Sequence, residues 1–397
     1  MQQAINNFKT VDKKDAKLAL AHMYVAFIAL LLGGIAGLLQ VLVRSGEFVL
    51  PAGIKISYYQ VLTVHGVLLG LILTTFFILG FQVASVSRTA GPFTEKQRLF
   101  GWIGFWLMTI GTAAAAVMVL LNKATVLYTF YAPLMAHWIF YLGLTLVVVG
   151  SWIVCGIQLA RHFQWKKENP GKTTPLMSFM SVVNSLLWII CTLGVAIEVL
   201  FFLLPWSLGL VDRVDVLLTR TLFWYFGHAL VYFWLLPAYM AWYVVVTKVI
   251  GGKIFSDSLA RMSFMLFLLF SFPVGLHHQL TEPGIDGLWK FIQVVLTFFV
   301  VIPSLLTAFS IFATFELRGR ELGAKGLFGW FKKLPWGDSR FFVPFVGMVA
   351  FIPGGAGGIV NASHQMNQLV HNTLWVTGHF HLTVATAVVL TYFGVAF

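Results

Sequence analysis

The stretch Val376-Thr-Gly-His-Phe-His-Leu-Thr-Val384 places two histidines, His379 and His381, inside an apolar run near the end of the printed sequence. This run covers roughly 372–397 and is long enough to cross the hydrocarbon core of a membrane as a helix. Each residue of an α-helix turns by about 100°, so positions i and i+2 point about 200° apart. The two imidazole rings therefore face opposite sides of the predicted helix, and one shared partner cannot explain both.

Comparable apolar runs recur along the whole chain, of which 59% is hydrophobic and only 10% charged. A soluble domain carries roughly 25% charged residues, so the composition excludes an ordinary soluble protein. Irregular backbone cannot face lipid, so each run is predicted to be a helix. We predict an all-α polytopic membrane protein, a bundle of about ten transmembrane helices forming one domain over residues 1–397. The ten runs are approximately 18–44, 59–86, 98–121, 127–161, 176–205, 216–249, 259–280, 288–316, 341–360 and 372–397.

Basic residues concentrate on alternate connections between these runs. Twenty of the 26 lysine and arginine residues lie in the N-terminal tail or in every second connection, and six lie on the other side. Cytoplasmic loops carry the excess of Lys and Arg, so the N-terminus is predicted to be cytoplasmic. The net charge of +12 therefore reflects membrane topology and does not indicate nucleic-acid binding.

Six of the eleven histidines are expected at one depth, because successive runs cross the membrane in opposite directions. Their positions along four runs all fall in the outer half of the membrane. Ionisable residues inside a membrane are costly, so a shared depth indicates a functional site. The six are His65, His228, His277, His278, His379 and His381. His22, His137 and His162 are interpreted as structural.

The six histidines suit two haems and one copper ion. If the run 372–397 lies between two cofactors, His379 can ligate one and His381 the other. His65 then supplies the opposite axial ligand for one of them, which gives a six-coordinate, electron-transferring haem. The other three residues form a three-imidazole set suited to copper, namely His228, His277 and His278.

Two local features sharpen the copper hypothesis. Tyr232 follows His228 by four residues, on the same helix face, where a phenol could donate an electron and a proton for dioxygen reduction. Adjacent His277 and His278 point about 100° apart on a helix, so both can reach one metal from a helix end. Pro273 is expected to kink that helix and help to aim the pair.

The sequence around these histidines resembles a known family, subunit I of the haem–copper terminal oxidases. The divergent B-type branch, which includes bacterial cytochrome oxidases of the ba type, fits best. The motifs that carry the resemblance are Leu62-Thr-Val-His65-Gly, Val126-Leu-Tyr-Thr-Phe-Tyr131, Gly227-His228-x3-Tyr232-Phe-Trp-Leu-Leu-Pro237, Pro273-Val-Gly-Leu-His277-His278-Gln, Phe351-Ile-Pro-Gly-Gly-Ala-Gly-Gly-Ile-Val-Asn361 and Gly378-His379-Phe-His381.

The resemblance implies a role for each ligand. His65 and His381 would hold a low-spin haem of the b type, and His379 a high-spin haem of the a or o type. The copper ion would be held by His228, His277 and His278. Tyr232 would be covalently joined to His228, so that both belong to the catalytic centre.

The resemblance also implies an activity and its partners. The chain would be the catalytic subunit of a respiratory cytochrome c oxidase, an oxidoreductase and translocase of the bacterial cell membrane. It would reduce dioxygen to water at the high-spin haem and copper, and would couple electron transport to proton uptake and pumping. Electrons would come from cytochrome c through a subunit II with a two-copper centre. Typical members have twelve or more spans, so this chain is expected to be C-terminally incomplete.

Hydroxyl-bearing residues predict a proton route from the cytoplasm. Tyr239, Tyr243 and Thr247 follow Tyr232 at spacings of 7, 4 and 4, which make one stripe on a helix. Hydroxyls can also join helices or satisfy carbonyl groups, but the resemblance favours a pathway because these positions match the single uptake route of B-type enzymes. The route residues are Tyr239, Tyr243, Thr247, Ser256, Ser304, Thr307 and Ser310.

Other polar residues are assigned to the outer end or left open. His371, Asn367 and Asn361 are expected where haem propionates and exiting protons lie, although the family often has an aspartate at the position of Asn367. Glu198, deep in the fifth run, is either a protonated structural acid or a proton relay, and the sequence favours neither.

Three other functions compete with this interpretation. A quinol oxidase of the same branch would differ only in its electron donor. A nitric oxide reductase would use non-haem iron, which needs carboxylate help, and no glutamate accompanies the three predicted copper ligands in sequence. A histidine-rich transporter would need charged pairs and broken helices at the midplane of the membrane, whereas these histidines lie off-centre.

Overall fold

The computed structural model describes residues 10–49, 56–272 and 274–396, and the regular elements in these ranges are all helices. The chain divides into two compact units. The N-terminal unit comprises residues 10–172 and 192–226, and the C-terminal unit comprises residues 173–191 and 227–396. The prediction of an all-α protein is confirmed, and that of a single domain stays a prediction.

Nine helices in the described ranges are long and apolar enough to cross a membrane. They are α1 (Lys13–Ser45), α2 (Tyr58–Ala90), α3 (Glu95–Leu120), α4 (Trp138–Glu168), α5 (Leu176–Ser207), α6 (Val216–Val249), α8 (Gly287–Glu321), α9 (Ser339–Ala362) and α11 (Leu374–Ala396). Two shorter helices complete the fold, α7 (Asp257–Ser271) and α10 (His364–Val370).

The seventh predicted span is shorter than expected. The sequence predicts a helix over 259–280, but α7 has only 15 residues and ends at Ser271, and a 3₁₀ turn, Leu276–Gln279, follows. Gln293 of α8 explains part of the difference, because its Oε1 accepts hydrogen bonds from the N–H groups of Gly275 and Leu276 at 3.0 and 3.3 Å. The histidine pair thus lies on a turn and not on a helix end, while the kink predicted at Pro273 falls outside the described residues.

Glycines bring α3 and α4 into close contact in the N-terminal unit. A Cβ built on Gly104 would lie 2.7 Å from the carbonyl oxygen of Gly150, and one on Gly111 would collide with the carbonyl oxygen of Gly143. Both pairs are seven residues apart along antiparallel helices. Small residues allow helix backbones to approach closely where hydrophobic burial gives no driving force, as in lipid.

A buried carboxylate joins the first three helices of the same unit. Asp15 accepts hydrogen bonds from the Ser87 hydroxyl at 2.5 Å, the Phe93 N–H at 3.1 Å and the Arg98 Nε–H at 2.6 Å. Arg98 also bonds Asp12 and Glu95. These residues form the Asp15 clamp, in which a fully buried charge is matched by three donors, one of which carries the opposite charge.

Four π-helical segments interrupt the long helices, at Val67–Leu73 in α2, Val199–Leu203 in α5, Ala241–Val246 in α6 and His381–Val388 in α11. Such segments are rare and occur frequently at functional sites. Periodicity analysis of the sequence predicts none of them, since one wider turn leaves the apolar pattern almost unchanged.

The helices of the C-terminal unit are tied together by polar contacts. Trp242 of α6 donates its indole N–H to Thr391 of α11 at 2.9 Å. Tyr392 donates its hydroxyl to the carbonyl oxygen of Trp234 at 3.2 Å. A Cβ on Gly354 would lie 2.7 Å from Thr383, so α9 and α11 are in direct contact close to the histidines of α11.

Candidate metal centre

The predicted copper ligands come together in the structure. One nitrogen from each of His228, His277 and His278 lies within 4.8 Å of the others, and His228 and His277 are buried. The ring of His228 lies 4.1 Å from that of His277 and 5.2 Å from that of His278, measured between centroids. These three residues form the histidine cluster, which α6 and the turn after α7 position. Three neutral imidazoles that converge on one position suit a copper or zinc ion.

A threonine of α8 fixes the tautomer of His277. Thr297 donates its single hydroxyl proton to the carbonyl oxygen of Gln293 at 2.6 Å, and its oxygen lies 3.0 Å from Nδ1 of His277. The His277 Nδ1–H must therefore donate to Thr297, since that hydroxyl has no second proton to give. This leaves the Nε2 lone pair as the metal-ligating atom, as metal-bound histidines commonly require.

Tyr232 contacts the cluster as the sequence predicts. Its hydroxyl lies 2.9 Å from Nε2 of His228, while Nδ1 of His228 lies 3.1 Å from Nε2 of His278. One nitrogen of His228 thus faces the phenol and the other faces the remaining ligands. If Nδ1 of His228 held a metal ion, Nε2 of the same ring would still contact the phenol of Tyr232.

His379 adjoins the same cluster from α11. Its Nδ1–H donates to the carbonyl oxygen of Gly354 at 2.8 Å, which makes Nε2 the nitrogen with a lone pair. Gly357 and Gly358 lie beside the ring, where an added Cβ on either residue would be 3.2 Å away. His379 also lies within Coulombic range of all three residues of the histidine cluster. The residues present therefore fit a haem ligand next to a copper site.

The two predicted low-spin haem ligands lie in different units. His65 of α2 donates Nδ1–H to the carbonyl oxygen of Gly33 at 2.9 Å, and Gly37 leaves room for its ring. His381 donates Nδ1–H to the carbonyl oxygen of Thr377 at 2.8 Å. In both residues Nε2 is the nitrogen that could bind iron, so each side chain fits its predicted role.

The predicted proton-route residues line one part of the C-terminal unit. Tyr239 neighbours Ser304, and Tyr243 neighbours Thr307 and Ser310, with Ser263 as a further neighbour that the sequence did not indicate. Within the described residues, however, the hydroxyls of Tyr243, Thr307 and Ser310 lack a partner at hydrogen-bond geometry. Polar gaps of this kind are places where water can complete a chain.

Thr247 and Ser256 of the predicted route make hydrogen-bond contacts within their own helices. Thr247 contacts the carbonyl oxygen of Trp242 at 3.4 Å, so its hydroxyl is directed back along α6. Ser256 caps α7 by accepting the N–H of Leu259 at 3.1 Å. These contacts fit helix stabilisation as well as proton transfer, and the roles of both residues stay predictions.

The residues assigned to the outer end lie around α10. Asn367 is buried and donates to the carbonyl oxygen of Asn361 at 2.7 Å, and His371 ends the helix. The side-chain oxygens of Asn361 and Asn367 have no hydrogen-bond partner in the described part of the chain. The predicted propionate region is thus rich in polar groups, and its role stays a prediction.

Sequence reasoning missed the residues that orient the ligands. Thr297, Gln293 and Gly354 each fix a histidine or the turn that carries it, through contacts 17 to 25 residues apart in sequence. The spacing of Gln293 and Thr297, one helical turn apart, is the only local signal that they share a face.

Together, the fold and the site are those of a polytopic helical membrane protein with a candidate three-histidine metal centre. The model of the family "Cytochrome C and Quinol oxidase polypeptide I" matches residues 17–397, and the chain belongs to this family. It is 47% identical over 385 residues to cytochrome c oxidase subunit 1 of Thermus thermophilus, covering 96% of this chain and 68% of that subunit. It is 23% identical over 347 residues to quinol oxidase subunit 1 of Sulfolobus acidocaldarius, covering 84% and 63% of the two chains.

A solved structure agrees with these relatives. A chain of a heme-copper terminal oxidase dimer, determined by cryo-electron microscopy, superimposes with a TM-score of 0.93 at 45% identity. The match covers 97% of this chain and 68% of that chain. The chain thus spans about two thirds of the length of its relatives or less.

The comparisons confirm the predicted class. The resemblance to subunit I of the haem–copper terminal oxidases, the membrane-helix fold and the assignment to the cytochrome c oxidase class are all confirmed. The quinol oxidase alternative is weaker, since that relative shares half as much sequence. Membership of the family implies haem and copper as cofactors and a multi-pass place in the membrane.

Proposed function

We propose that this chain reduces dioxygen to water in the bacterial cell membrane, with electrons that reach it from cytochrome c through a two-copper subunit II. The observation that carries the proposal is the histidine cluster with the hydroxyl of Tyr232 2.9 Å from His228. The 47% identity to a cytochrome c oxidase subunit supports cytochrome c over a quinol as the donor.

The copper ion would be held by His228, His277 and His278. All three are imidazoles, and no carboxylate joins the group among the described residues. A non-haem iron centre of the nitric oxide reductase type needs carboxylate help, so the donor set favours copper. Thr297 keeps His277 in the tautomer that presents Nε2 to the metal.

Two haems would be held by histidines. His379 would hold one of them, and His65 together with His381 would hold the other. His379 would carry the high-spin haem, of the a or o type, because it adjoins the histidine cluster. His65 and His381 would carry the low-spin haem, of the b type. When bound, these groups and the copper would supply electrons to dioxygen.

The protein's own residues would deliver the remaining electron and the protons. Tyr232 holds its phenolic proton beside His228, where a hydrogen atom can leave the ring without a large movement. Protons would approach it from the cytoplasmic side through Tyr239, Tyr243 and their hydroxyl neighbours on α8. Water in the gaps between these hydroxyls would complete the route. The cytoplasmic N-terminus that the distribution of basic residues predicts would set its direction.

An optical spectrum of the reduced, membrane-extracted complex with and without carbon monoxide tests the proposal. We expect two irons and one copper per chain and a spectral change at one haem only, because His65 and His381 would both hold the other haem and keep carbon monoxide from it. Parallel metal analysis controls for incomplete loading. Carbon monoxide binding at both haems, or a protein without copper, would contradict the assignment of the ligands.

A further inference from the structure

Glu198 is a buried acid that the proposed reaction does not use. It ends the first part of α5, directly before the π segment Val199–Leu203, and its side chain is fully buried. Neither carboxyl oxygen has a hydrogen-bond partner in the portion of the chain that the structure describes. An isolated carboxylate in such a place is strongly disfavoured, so the group must carry its proton while no partner approaches.

The Asp15 clamp shows how this same unit treats a structural carboxylate. Asp15 is equally buried but accepts three hydrogen bonds and pairs with Arg98. Glu198 has none of these. A structural acid would be selected with its partners, whereas an acid that gains and loses a proton needs room for water instead.

Glu198 lies next to a π-helical segment, as several of the predicted functional residues do. The π segment in α2 begins two residues after His65, the one in α6 contains Tyr243, and the one in α11 begins at His381. The fourth begins directly after Glu198. Segments of this kind frequently mark functional sites, and Glu198 is the remaining ionisable group placed in this way in the described helices.

A tyrosine lies between Glu198 and the connection before α4. Tyr141 lies within Coulombic range of Glu198. It accepts a hydrogen bond from the N–H of Ala136 at 3.1 Å, so its own proton remains available to donate. The carbonyl oxygen of Ala136 accepts the hydroxyl proton of Ser207 at 2.6 Å, which ties the end of α5 to the same connection. About 14 Å of helix separates Glu198 from Ser207.

We propose that Glu198 is a proton-exchanging carboxyl that releases its proton toward the connection 121–137 by way of water and the Tyr141 hydroxyl. This inference rests on the proposed function, because the reduction of dioxygen would drive the proton movement while the protons themselves come from the cytoplasmic side. The acid gives its proton to a water molecule, Tyr141 accepts one proton and donates another, and the resulting carboxylate is protonated again from the cytoplasmic side. No electron moves in this step.

Infrared spectroscopy of the complete oxidase complex tests the proposal directly. Hydrogen–deuterium exchange difference spectra of protein labelled with ¹³C-glutamate should show a protonated carboxylic-acid band that shifts in heavy water. The band should disappear in Glu198→Gln and shift in Glu198→Asp, and Glu316→Gln, which changes a half-exposed acid on α8, should leave it unchanged. A carboxylate band for Glu198, or an acid band that never exchanges, would overturn the proposal.

Proton release during turnover separates this inference from the proposed function. Glu198→Gln should keep its haem and copper content yet slow proton release to the outer side by about tenfold or more, with partial recovery in Glu198→Asp. Proton release at the wild-type rate in Glu198→Gln would overturn the inference, and it would leave the proposal of oxygen reduction unaffected. An inactive wild-type complex would instead refute the proposed function, while the infrared bands would still report on Glu198.

Discussion

The Asp15 clamp and the histidine cluster treat buried polar groups in opposite ways. In the clamp, the carboxylate of Asp15 is bonded to a hydroxyl, an N–H group and an arginine, all from the chain itself. In the histidine cluster, three imidazole nitrogens lie within 4.8 Å of one another with no acidic group among them. The first arrangement matches a buried charge with donors from the chain itself, whereas the second gathers nitrogen ligands that a cation could share. The type of group that is brought together, and not burial alone, distinguishes the candidate metal site from the structural contact.

The largest expected effect comes from removing a cluster ligand. His228→Ala should lose copper and abolish oxygen consumption while the low-spin haem spectrum remains, because the change affects one cation site only. His381→Ala is the matched variant and should lose the low-spin spectrum instead. Oxygen-electrode rates, metal analysis and optical spectra measure these outcomes. Equal spectral losses in both variants would show that the two residues do not serve separate cofactors.

Breaking the clamp should destabilise the protein without changing the metal centre. Asp15→Ala removes the acceptor of the Ser87 hydroxyl and of the Phe93 N–H, and it takes from the partly buried Arg98 the nearest of its three acidic partners. A buried donor left without an acceptor costs about 1–3 kcal/mol, so the variant should lose at least that much stability. The apparent melting temperature of the purified protein should fall, while metal content in the folded fraction stays constant. The double variant Asp15→Ala/Arg98→Ala should cost less than the sum of the two single changes, since the interaction is lost once. Additive losses would show that the pair is not coupled.

An intermediate effect is expected from the residue that orients His277. Thr297→Val keeps the volume but removes the oxygen that accepts the Nδ1–H of His277, so copper affinity should fall by about 10–100-fold. Competition with a copper chelator measures the change. Thr112→Val, which removes a hydroxyl that donates to the carbonyl oxygen of Met108 in α3, is the control. Equal copper affinity in both variants would argue against this tautomer.

The smallest effect is expected at an exposed ion pair. The side-chain hydrogen bond from Arg340 lowers the pKa of Asp338, whose contribution is therefore present above the pKa of the unfolded chain and is lost as the pH falls through the lower folded pKa. Asp338→Asn keeps the helix-capping group of α9 and should change the melting temperature far less than Asp15→Ala. A shift as large as that of the clamp variant would contradict the contrast between buried and exposed charges.

The sequence predicted the fold class because long apolar runs have few alternatives in a membrane. It also predicted the histidine cluster and its tyrosine, since the relevant residues occur in short motifs with helical spacing. It was wrong about the helix over 259–280, because the hydrogen bonds from Gly275 and Leu276 to Gln293 connect residues far apart in sequence. The tautomers of His277 and His379 could not be predicted for the same reason. The π segments could not be predicted either, because one wider helical turn hardly changes the spacing of apolar residues in the sequence.

The way the chain is shared between its two units has a consequence for engineering. Helices α5 and α6 each begin in one unit and end in the other, so neither unit is a continuous stretch of polypeptide. A gene cut at any single connection would therefore divide at least one of the two units between its products. Truncation libraries of this protein should yield no separately stable half, and heterologous fusions belong at the connections or the tail, not within α5 or α6.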